Sequence, residues 1–181
     1  YAYGQYDSGS ARGGWRYSWN QHPDNSAAQW GAIGMLPAEK NWGLTVPAWV
    51  KSENLVWLGY SQHSNGGFGY TNGSSNNISP ARTASGMVQL AFDGVPTTDS
   101  RWIRAENYMR QNWGSMFDSS VDFYAMFAFM KAMHNAVPQP LDTFGAAHSS
   151  GALDWYGDSS SGLARYLINR QENSGRWAGD S

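Results

Sequence analysis

The stretch GGFGYTNG, Gly66–Gly73, directly follows the helix-like run VPAWVKSENLVWLGYSQHSN, and GGWRYSWN, Gly13–Asn20, stands some fifty residues earlier. Paired glycines, aromatics and a polar loop are written twice, each time ahead of a new apolar run. Period therefore governs the reading. Behind GGWRY, the oxygens of Asp24, Asn25 and Ser26 suit a helix start, which Ala27, Ala28, Ile33, Met35 and Leu36 continue. Pro47 opens a second helix whose Trp49, Val50, Leu55, Val56, Trp57 and Leu58 suit a buried face, and which closes at Asn65-Gly66. The second unit repeats this grammar with SPARTASGMVQLAF, then with RWIRAENYMRQNW behind the cap Asp99-Ser100. A third unit runs from GSMF through a helix at Val121 to Asn135, breaks at PQP and ends in GLARYLINRQENSGRW.

Glycine-aromatic turns at Gly67, Gly114 and Gly175 recur about every fifty to sixty residues, a helix-pair period. Such units bury their apolar faces only by stacking on neighbours. The expectation is an all-α chain of about three helical hairpins forming one domain over 1–181, with repeats near 13–65, 66–113 and 114–177. A strand reading of GFGYT gives way because helices flank every copy.

Composition narrows the function. The chain has 181 residues, a net charge of -2 and 14% charged residues, so no basic surface argues for nucleic acid or an anionic membrane. With no cysteine, disulfides, thiol nucleophiles and cysteine-held zinc are excluded. Sparse charge, abundant Gly, Ser and Asn and the missing thiols point to a secreted, cell-surface or periplasmic setting. No apolar run reaches the roughly twenty residues of a membrane span; FYAMFAFMKAM carries Lys131 and reads as a buried helix. A first residue of tyrosine, without a visible signal peptide, reads as the start of a processed or trimmed chain.

Two turns share a finer pattern: Leu58, Gln62, Gly66 and Phe68 match Leu167, Gln171, Gly175 and Trp177, with a degraded copy at Gln111-Asn112-Trp113-Gly114. The pattern resembles the QW-type motif of the squalene–hopene cyclases and the related prenyltransferase/squalene-oxidase repeat proteins. The resemblance implies an α/α toroid in which the glutamine, at the end of an outer helix, ties to the start of the next helix beside the aromatic. It also implies a ring of about six hairpins, so this chain reads as a piece of a longer toroid or as an open arc that completes itself by assembly.

Three chemistries are open to such a fold. A terpenoid cyclase protonates an alkene with an acid from the motif Asp-x-Asp-Asp-Thr-Ala; here His22-Pro23-Asp24-Asn25-Ser26-Ala27 keeps only Asp24, at the position matching the proton donor. Trp30, Phe123 and Phe127 are available to stabilise a cation, although core packing explains them equally well. A zinc prenyltransferase lacks its cysteine, and His22, His63, His134 and His148 show no ligand spacing. A glycan-active enzyme needs two carboxylates across a cleft; Asp118 with Asp122, and Asp154 with Asp158 near Trp155 and Tyr156, are the available pairs, all at places where caps are expected.

Met126, Met130 and Met133 read as core, and Arg101, Arg104 and Arg110 as a solvated helix face. The leading expectation is a non-catalytic helical-repeat scaffold that associates with itself or another protein, with no metal or cofactor. Its best acid is Asp24, with His22 beside it. Its ligand-contact residues are Trp19, Trp155, Tyr156, Asp118 and Asp122, for a glycan or an apolar ligand. The alternative is a toroid enzyme acting on an isoprenoid or a glycan.

Overall fold

The computed structural model describes residues 2–117 and 122–177. The described residues form six α-helices: α1 (Asn25–Trp42), α2 (Ala48–Ser61), α3 (Pro80–Phe92), α4 (Ser100–Gln111), α5 (Phe123–His134) and α6 (Leu163–Arg170). Among the described residues the sheet is limited to two short antiparallel strands, β1 (Thr143–Phe144) and β2 (Leu153–Asp154). The class is all-α, as the periodicity predicts.

Helix starts follow the expected chemistry. Asp24, Ser79, Asp99 and Asp122 each accept a hydrogen bond from a first-turn amide of α1, α3, α4 and α5, and Pro80 takes the first position of α3. Helix α1 continues through Pro37 and stops at Gly43, which is left-handed. Helix α2 is shorter than the sequence suggests: it ends at Ser61 because Gln62 turns into an extended conformation. The last helix pair is looser, with α5 and α6 separated by residues 135–162, which carry the unforeseen hairpin β1–β2.

The core centres on α3, which packs against α1 on one flank and α5 on the other, with α4 and α2 also against it. Every residue from Thr83 to Phe92 is buried. Small residues on the flanking helices, among them Ala28 and Ala32 of α1 and Ala125, Ala128 and Ala132 of α5, are fully buried. Their size lets the helices approach α3 closely. Met126 and Met133 are buried and Met130 half-buried.

Buried polar groups bind the layers together. Asn25, fully buried, donates to the Gly69 carbonyl at 2.7 Å and accepts from Trp57 and Gln89, each at 2.9 Å. One side chain thereby links α1, α2, α3 and the GGFGY turn, with its donor and acceptor both satisfied. A second polar contact, between α2 and the end of α3, is incomplete. Asn54 donates to Asp93 Oδ2 at 3.0 Å, while Asp93 Oδ1 and Asn54 Oδ1 are buried without partners.

Burial raises the Asp93 carboxyl well above its ordinary value of 3.8, outweighing the Asn54 hydrogen bond. A folded-state value above the unfolded one means that the folded state holds this proton more tightly, so the stabilisation is fully present at acid pH. It is lost as pH rises from about 4 through the folded-state value. Asp93→Asn is expected to unfold at higher denaturant concentration than wild type at pH 7 and to lose that advantage near pH 4, because its amide can donate to Asn54 Oδ1. Denaturant titrations at the two pH values check this.

Candidate functional site

The two paired-glycine turns are joints of common construction. In the second, Gln62 at the end of α2 donates from one nitrogen to the Gly66 carbonyl at 3.0 Å and to the Arg101 carbonyl in the first turn of α4 at 2.9 Å. Gly66, with φ of 98°, lies against α4 so tightly that a Cβ would stand 2.1 Å from the Arg104 carbonyl oxygen. Gly67 faces the Tyr108 ring, and Phe68 is buried beneath Gly86 of α3, where a Cβ would come within 2.5 Å of its ring.

The first joint repeats each element. Gln5 donates to the Gly13 carbonyl at 2.7 Å and to the Val50 carbonyl in α2 at 2.8 Å. Gly13, with φ of 96°, would place a Cβ 1.8 Å from the Glu53 carbonyl oxygen; Gly14 faces the Trp57 ring, and Trp15 lies beneath Gly31 of α1. Val50, Glu53 and Trp57 thus correspond to Arg101, Arg104 and Tyr108. The sequence reading missed Gln5, because seven residues, 6–12, separate it from Gly13 where three separate Gln62 from Gly66, which breaks the four-residue spacing. The GGWRY likeness was the signal that pointed to it.

The third joint has changed chemistry. Gln111 is exposed, and Trp113 instead donates its indole N–H to the Ser161 carbonyl just ahead of α6 at 2.7 Å. Phe117 packs on Tyr166 of α6 with ring centroids 4.3 Å apart. In the fourth, Gln171 donates to the Gly175 carbonyl at 2.7 Å and Trp177 donates to the Leu167 carbonyl. Gly175 is again left-handed, at φ of 84°, but a Cβ there would meet nothing within 4 Å among the described residues, and Trp177 is 41% exposed.

The arginines of α4 are not a merely solvated face. Arg104 donates to Gln62 Oε1 at 2.9 Å and Arg110 to the Gly151 carbonyl at 3.1 Å. Arg101 pairs with Asp99 at 2.9 Å and holds its carboxyl down at about 2.

The expected acids are engaged locally. Asp24 is fully buried, accepts from the Ala27 amide at 2.7 Å and has the Arg16 guanidinium 3.1 Å from its other oxygen. His22 is exposed and packs on Tyr6. Asp122 accepts from the Ala125 amide at 2.8 Å, and Asp118 lies outside the described residues. Asp154 accepts from the amides of Tyr156 and Gly157. Asp158 accepts from the amides and hydroxyls of Ser160 and Ser161, which hold its carboxyl far below the usual range. Among the described residues, no three His, Asp or Glu side chains gather as a metal site would require.

The aromatics divide. Trp155 is buried, with its indole N–H on the Leu141 carbonyl at 2.7 Å, whereas Tyr156 is 57% exposed; both border a cavity of about 480 Å³ with Met130, His134, Asp142 and Asp154. Trp30 stacks on Phe127 at 5.9 Å, bridging α1 and α5. Trp19 is exposed and borders a cavity of about 520 Å³ beside the first joint, with Tyr3 and Trp49.

No protein-family model, curated protein or solved structure matches the chain. The joints therefore stand on their own geometry. Gly66→Ala is expected to cost about 3 kcal/mol or more, since it adds a backbone collision to left-handed strain. Gly175→Ala, with open space around it, should cost only about 1 kcal/mol. Equilibrium unfolding of the two variants reads the difference.

Proposed function

We propose that this chain is a helical-repeat interaction module of the prenyltransferase/squalene-oxidase repeat type, an arc of an α/α toroid that acts as a scaffold outside the cytoplasm and has no catalytic centre of its own. The observation that carries the reading is the fourth joint. Its Gln171–Gly175 bond matches that of Gln62–Gly66, and at Gly66 the vacant side of the glycine receives the Arg104 carbonyl of α4. Gly175 offers the same seat unfilled among the described residues, to the start of a helix from a second copy or from another protein. Exposed apolar side chains on the first two helices and the last, Trp42, Leu44 and Tyr60 in or beside α1 and α2 and Ile168 and Trp177 in or after α6, suit association.

The reading without catalysis draws support from Asp24, Asp122 and Asp158, each bound to local amides. Asp24 in particular is wrapped in protein and paired with Arg16, which suits a cap better than an acid facing a ligand. The alternative, a toroid enzyme acting on an isoprenoid or a glycan, would need a proton donor from elsewhere. No helix of the described residues is long and apolar enough to cross a membrane.

Sedimentation velocity at rising concentration tests the scaffold. The expected result is reversible association that Gly175→Ala and Trp177→Ala abolish without unfolding the chain. Monomers at every concentration would overturn self-association. Asp24→Asn should lower stability by about 1–2 kcal/mol, by removing a buried cap and its ion pair, and leave association intact. Denaturation and sedimentation of the variant check both halves.

A further inference from the structure

The first joint departs from the second at Glu53, and the departure opens a site. In the second joint the Arg104 guanidinium closes Gln62 Oε1. The corresponding position in the first is Glu53, which has no proton to give and is itself bound to Arg12 at 2.8 Å. Gln5 is only 7% exposed and its Oε1 is buried with no hydrogen-bond partner among the described residues. An orphaned buried acceptor costs about 1–3 kcal/mol unless a donor arrives from outside.

Gln5 borders the cavity of about 520 Å³ to which Tyr3, Trp19, Trp49, Asp7 and Glu53 also contribute. The segment 6–12, four residues longer than its counterpart 63–65 in the second joint, supplies part of its wall through Tyr6, Asp7 and Arg12. Asn20, held at φ of 47°, accepts from the Asp7 amide at 3.0 Å and so fixes the loop that carries Trp19. Tyr3 is 75%, Trp19 68% and Trp49 43% exposed around one hollow, with the Tyr3 and Trp49 rings packed on each other at 5.9 Å between centroids.

We propose that this hollow binds a neutral oligosaccharide, whose C–H faces stack on Trp19, Trp49 and Tyr3 and whose hydroxyls donate to Gln5 Oε1, Asp7 and Glu53. The chemistry selects among ligand classes. Phosphate and sulfate meet two carboxylates against one arginine. A quaternary ammonium satisfies the rings but has no hydrogen for the Gln5 oxygen. An apolar chain leaves every acceptor unpaired. A sugar supplies flat apolar faces together with hydroxyl donors, and the volume lies within the about 300–1,000 Å³ of ligand pockets. This site is separate from the fourth joint, so its failure leaves the scaffold reading untouched.

Isothermal titration with cellohexaose, xylohexaose and mannohexaose tests the assignment, with choline chloride as the cationic probe. At least one hexasaccharide should bind saturably with one site per chain. Trp19→Ala, which removes an exposed ring and spares the core, should weaken that binding about tenfold or more. Asp7→Asn and Glu53→Gln should weaken it less, and Arg165→Ala, at an exposed side chain of α6 that does not border the hollow, should leave it unchanged. Circular dichroism confirms that each variant is folded. Absence of binding by all three sugars, binding that survives both Trp19→Ala and Trp49→Ala, or binding of choline in place of the sugars overturns the proposal.

Discussion

A helix carbonyl pressed against the α-carbon of a neighbouring turn leaves room there for a hydrogen and nothing larger. That single steric fact, met at Gly13 over Glu53 and at Gly66 over Arg104, sets how the helix pairs of this chain meet. Once the turn lies that close, one glutamine nitrogen reaches both the turn's own carbonyl and a carbonyl in the adjoining helix. The aromatic two residues beyond the seated glycine is driven down onto a second glycine, in α1 or α3. The carbonyl of the seated glycine gains its partner in the same stroke. Glycine, glutamine and aromatic are therefore one device, and each loses its purpose without the others.

Much of this was written plainly. Helix class, the caps at Asp24, Asp99 and Asp122, and the structural pairing of Gln62, Gly66 and Phe68 follow from local patterns whose physics is local. What escaped the sequence reading depends on partners distant in the chain. Gln5 was hidden by its longer separation from Gly13, and its role requires knowing that Val50 lies above it. Arg104 looked like solvated charge because its partner, Gln62, belongs to another helix. The end of α2 was placed too late, since the turn-forming glycines were visible while the extended Gln62 was not. The hairpin β1–β2 has strands of two residues, too short to leave any alternation to detect.

The acids show how one residue type serves two trades. A carboxylate ahead of a helix is equally a cap and the start of a proton donor, and the letters alone do not separate them. Surroundings do: Asp24 has an amide on one oxygen and a guanidinium by the other, inside the protein. Asn25, where the resemblance has an acid, is instead the buried tie between three helices and a turn. A charge at that point would sit among donors and acceptors already matched for an amide, so the loss of the acid and the gain of the tie belong together.

Burial is spread unevenly along the array. Helix α3 hides ten successive residues, whereas α6 hides Leu163 alone. The free energy of local opening follows such differences closely. Amide protons of α3 should therefore exchange with deuterium only when the whole molecule comes apart, while those of α6 exchange through fraying that leaves the other helices in place. The chain thus has a firm middle and a yielding end, and a capping partner would gain most by gripping the end that yields.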